Sequence, residues 1–145
     1  MTGGGTILPG HRYFSAAFCA LTLSLFSAPM RATDNRDSPF GIWRGESACA
    51  TDAGSCHDEK VVYYIDPIPS DASAVLIQAD KVVDGKAITM GKGPWKYDHA
   101  RQTLTMESGG RLWQLTVTGK KIEGVLTVGN GVIFRRMALT RDDPR

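Results

Sequence analysis

Net charge of one sign is missing from this chain. Lys and Arg number 17 against 15 Asp and Glu, a formal +2 over 145 residues. So small an imbalance leaves no electrostatic footprint for nucleic acid or an anionic membrane. Helical periodicity is missing too. After Phe40 no window holds apolar residues at i, i+3, i+4 and i+7 for long, which excludes a helical bundle. Histidine is scarce, at three residues, and no Ser-His-Asp arrangement can be placed around them. Disorder is excluded as well, because 42% of the residues are apolar and 22% charged, too apolar and too balanced for an unfolded chain. Cysteine is limited to three, and an odd count leaves one outside any pairing.

Long hydrophobic runs are limited to one. Residues 13–29 read YFSAAFCALTLSLFSAP, preceded by His11 and Arg12 and followed by Met30, Arg31, Ala32 and a polar stretch. The run is shorter than the roughly 20 apolar residues of a membrane span. A basic start, an apolar middle and a small residue before polar chain are the marks of a secretory signal peptide. The reading is a leader over 1–32, cleaved after Ala32, a short polar linker over 33–39, one domain over 40–141 and a polar tail over 142–145. The expected address is the periplasm or the exterior. Two arginines (Arg12 and Arg31) and no acid leave with the leader, so the remaining chain is neutral. Cys19 leaves with it too.

The cysteines that remain are Cys49 and Cys56, separated by a turn-rich loop. In an oxidising compartment such a pair is expected to form a disulfide. The spacing fits neither the usual gap between zinc-ligating cysteines nor a His pair. No metal and no cofactor are expected.

What the domain does contain is short β-rich runs separated by turn residues. They cover 40–48, 59–66, 73–82, 86–97, 103–107, 111–118, 121–128 and 131–140. The fourth is expected to break near Gly91–Pro94, since proline removes a ladder donor and glycine often marks a bulge. Asp84-Gly85 and Asn130-Gly131 are expected as type I′ hairpin turns. Short connections pair sequence neighbours antiparallel. About eight strands in a meander invite closure into an up-and-down barrel, which removes exposed edges. A β-sandwich is the alternative. Alternation gives the sheet two faces: Trp113, Leu115 and Val117 share one, and so do Ile122, Gly124, Leu126 and Val128. Trp95 and Tyr97 stand two apart on one face. With Trp113 they are the best lining for an apolar or aromatic ligand.

Gly41-Ile42-Trp43 at the start of the first strand and the basic pair Arg135-Arg136 in the last carry a resemblance. The chain resembles the calycin superfamily, the lipocalins and their relatives, which are small up-and-down barrels. The resemblance implies that Trp43 plugs the barrel floor and that one arginine of the final strand stacks on it, Arg135 or Arg136. It also implies a small, mostly apolar ligand. FGIWRGE is similar as well to the start of nitrobindin-type haem barrels, which ligate haem through a late histidine. No histidine follows His99, so haem is not expected. No catalytic residue is assigned, and an enzyme is not the expected reading. The alternative function is a protein-partner module, such as an inhibitor of an envelope or secreted hydrolase.

Overall fold

The computed structural model describes residues 38–52 and 54–143. The leader, residues 33–37 of the linker and residues 144–145 lie outside the described residues. Eight antiparallel strands follow one another: β1 (Gly41–Cys49), β2 (Glu59–Pro67), β3 (Ala74–Val83), β4 (Lys86–Asp98), β5 (Thr103–Ser108), β6 (Arg111–Thr118), β7 (Lys121–Val128) and β8 (Val132–Arg141). Each pairs with the next, and β8 pairs back onto β1, so the barrel is closed. The sandwich alternative is thereby set aside.

The inward alternation fills the lower half of this barrel. Trp43, Leu104, Leu115 and Ile122 are fully buried, with Ile65, Val75 and Leu139 beside them. They come from seven different strands, so the core is completed only when the barrel closes. Each large apolar side chain so buried contributes roughly 1.5–3 kcal/mol.

The floor is closed by Trp43, whose indole Nε1–H donates to the Pro39 carbonyl at 2.8 Å. An arginine stacks on its ring, but it is Arg141, with Cζ 4.6 Å from the ring centroid. The expectation for Arg135 or Arg136 is corrected here. The closing register pairs Trp43 with Arg141, whereas Ala48 and Cys49 pair with Arg136 and Arg135. At ~3.3 Å per residue those two stand at the other end of the strand. Arg141 also donates to the carbonyls of Phe40 and Ser38. A flat guanidinium suits this place because it can stack and reach two carbonyls at once. Residues 38 and 39 thus belong to the floor rather than to a linker. Asp142, read from sequence as tail, is tied down by its N–H to the Ile42 carbonyl and by Arg44.

Turns and bulges differ in detail. Asp84 and Gly85 both have positive φ, +50° and +76°, as a type I′ turn requires. The β7–β8 connection is not of that type. Positive φ falls on Gly129 and Gly131 within a three-residue loop between the paired Val128 and Val132. A glycine on each side of Asn130 carries the reversal. Strand β4 does not break at Gly91–Pro94. It runs through that segment in register with β3 and bulges just before it, at Met90, where the pairing shifts between Ala79 and Asp80.

Cys49 and Cys56 are bonded, with their Cα atoms 6.0 Å apart. The bond closes the loop that follows the last β1–β2 pair, Ser47 with Glu59. Asp58 supports the same loop by accepting the Cys49 N–H at 2.7 Å. So short a loop gives a modest chain-entropy gain. Reduction should lower stability by about 2–3 kcal/mol and leave the barrel folded, as read by urea titration with and without reductant.

Candidate functional site

The upper half of the barrel is not filled. A cavity of about 610 Å³ is lined by residues of all eight strands, within the usual range of ligand pockets, roughly 300–1,000 Å³. Its apolar wall is made by Tyr63, Trp95, Trp113, Met106, Leu126 and Met137. The three rings form a contiguous cluster. Trp95 meets Tyr63 edge-on at 6.4 Å between centroids and Trp113 at 6.1 Å, tilted by 58°. Such edge and tilted pairings are the favoured ones for aromatic quadrupoles.

Of the three lining residues read from sequence, Trp95 and Trp113 face the cavity and Tyr97 does not. Tyr97 shares the inward face of β4, but it lies two residues nearer the floor. There its hydroxyl donates to Gln102 Oε1 at 2.7 Å and its ring rests 4.3 Å from that of His99. Periodicity assigns a face and says nothing about height within the barrel. His57 and His99 are exposed. Gly41 opens β1 at a φ of +124°, a region that side-chain-bearing residues rarely adopt.

A polar group from β1, β2 and β8 completes the lining. Arg135, expected at the floor, is in the cavity. Its Nη1 donates to the Ser47 carbonyl at 3.1 Å and to Ser47 Oγ at 3.3 Å, and lies 3.4 Å from Glu59 Oε2. Its side chain is 15% exposed. Arg136 faces outward and is exposed. The sequence signal for this polar group is parity. Arg135 is in step with Met137 and Leu139, Glu59 with Val61 and Tyr63, and Ser47 with Trp43. A charged residue at the mouth end of an inward series marks a polar group lining the interior.

Burial, with a lesser push from Glu59 opposed by Arg135, raises the Tyr63 hydroxyl from the ordinary 10 to about 12. Because the folded value lies above the unfolded one, the fold favours the neutral phenol. The associated stability is intact below pH 10 and is lost as pH climbs from about 10 to 12. Going from pH 9 to pH 11 should cost the protein about 1 kcal/mol more than its Tyr63→Phe variant, measured by urea titration at both pH values.

The cavity opens sideways through a slot between β4 and β5. These strands pair only over Lys96–Asp98 and Thr103–Thr105, although β5 runs on to Ser108 and β4 begins at Lys86. The cause is in the sequence. The Tyr97 N–H reaches toward β3, donating to the Ser73 carbonyl at 2.8 Å. Backbone N–H groups alternate sides along a strand, so residue 94 turns its nitrogen toward β5. That residue is Pro94, which has no N–H, and the ladder stops there. Met90, Lys92 and Pro94 flank the slot on one side, and Met106 and Glu107 on the other.

Among the described residues no three or more His, Cys, Asp or Glu side chains gather as a metal site. Comparison of the chain with protein-family models, curated proteins and solved structures finds no match.

Proposed function

We propose that the protein is an exported barrel that binds one small, mostly apolar ligand in the upper half of its interior. The observation that carries this reading is the cavity of about 610 Å³ beside three aromatic rings. A barrel of eight strands can be filled by side chains or hold one small ligand. This one is packed below and open above. Kinship with the lipocalins is supported by the closed up-and-down order and by Trp43 capped by an arginine of the last strand. Export is supported by the Cys49–Cys56 bond and by the apolar, charge-free run over 13–29.

The neutral fluorophore N-phenyl-1-naphthylamine tests the reading. It should brighten saturably at one site per chain. Ala79→Trp, which places an indole on the cavity wall, should abolish the signal while far-ultraviolet circular dichroism stays unchanged. A signal that is absent, or indifferent to that variant, sinks the proposal.

A further inference from the structure

We infer that the cavity selects a neutral ligand whose polar group both donates and accepts hydrogen bonds, such as a primary carboxamide on an aromatic body, over the corresponding carboxylate. The inference rests on the cavity being a ligand site and adds the chemistry of its polar end.

The Glu59–Arg135 pair decides the sign. Among the described residues Arg135 makes its hydrogen bonds through Nη1 alone, and Glu59 meets it through Oε2 alone. A guanidinium carries five N–H donors, so the donors on Nη2 and Nε remain. Glu59 Oε1 remains as an acceptor. Both residues line the cavity. The pair therefore offers donor and acceptor together at almost no net charge. A carboxamide, which has an N–H₂ and a C=O, answers both. A carboxylate answers the arginine but meets Glu59 across a short gap in a half-buried site, where like charges are poorly screened. An ammonium group has the mirror-image difficulty with Arg135.

The remaining charges on the lining are Lys92, Glu107 and Arg111. All three are exposed at the rim, where solvent and salt screen them. They bear on approach to the cavity rather than on choice within it. The body of the ligand lies against Trp95, Trp113 and Met106.

Calorimetric titration of the whole protein with naphthalene-2-carboxamide, sodium naphthalene-2-carboxylate and 2-methylnaphthalene separates the possibilities. The wild-type protein is expected to bind the amide at least about tenfold tighter than the acid, the scale of one hydrogen bond to a charged group. Glu59→Gln should reverse the order, because it leaves Arg135 unopposed. Arg135→Met should bring the amide down to the affinity of the methyl compound. A wild-type protein that binds acid and amide equally, or the acid better, overturns the inference and leaves the cavity reading standing. Failure of all three compounds to bind overturns both. The wild-type comparison decides the matter even if either variant does not fold.

Discussion

Trp43→Ala is expected to remove most of the stability of the barrel. Excising a fully buried aromatic side chain typically costs about 3–5 kcal/mol, against a total for a domain of roughly 5–15 kcal/mol. Trp43 is wholly buried, so the transfer loss is complete, and the hole would sit at the floor, where three segments converge. The Pro39 carbonyl loses its donor. The Arg141 guanidinium loses the ring it stacks on, and its Nε is already buried with no hydrogen-bond partner among the described residues. Both effects add to the cavity cost. Urea titration should show a much lower midpoint, equivalent to a loss of several kcal/mol, with little change of slope. The same truncation at Trp113, which is only half-buried on the cavity wall, should cost far less and should act on ligand binding. A Trp43→Ala protein as stable as Trp113→Ala would show that the floor is not what closes the barrel.

The two tryptophans illustrate what a single sequence can tell. Strand limits were legible to within about one residue, because alternation and turn chemistry are local and each short connection leaves a neighbour only one place to pair. The fourth run carried a readable interruption at Gly91–Pro94. Its consequence was not readable, because proline removes a donor from one side of a strand and the sequence does not say which. The floor arginine was misplaced for a related reason. Arg135, Arg136 and Arg141 all lie near the end of the chain, and the one that meets Trp43 is chosen by the β1–β8 register. That register is the last, least local pairing in the barrel, set by the stagger accumulated over all the others. Height was likewise hidden for Tyr97, which has the right face and the wrong level. The Glu59–Arg135–Ser47 wall needed both face and height. Parity with their buried neighbours is consistent with an inward face for each of the three, but only the closed barrel brings strands one, two and eight together at the mouth.

The closure has a backbone requirement, and Gly124→Ala should expose it with a large loss of stability. A Cβ at residue 124 would stand 2.1 Å from the Gln114 carbonyl oxygen and 2.7 Å from Leu115 Cα. Both are backbone atoms of β6, so no rotamer change relieves the contact. Strand β7 must move away from β6, and the pairing of Gly124 with Leu115 must open. Gly45 is its counterpart in β1, with a Cβ placed 2.0 Å from the Ala138 carbonyl oxygen of β8. At both places the neighbouring strand crosses close enough to fill the space of a side chain, as at the tight corners of small barrels. Gly124→Ala and Gly45→Ala should each cost on the order of 4 kcal/mol or more, the range reserved for named structural faults. Gly91→Ala is the control. It has no positive φ and nothing within 4 Å of the added atom, and it should change stability by less than about 1 kcal/mol. Urea titration of the three variants beside wild type measures all of this. Near-equal stabilities across the set would mean that β6 and β8 yield without loss, and that the close strand approach at residues 45 and 124 is not needed to close the barrel.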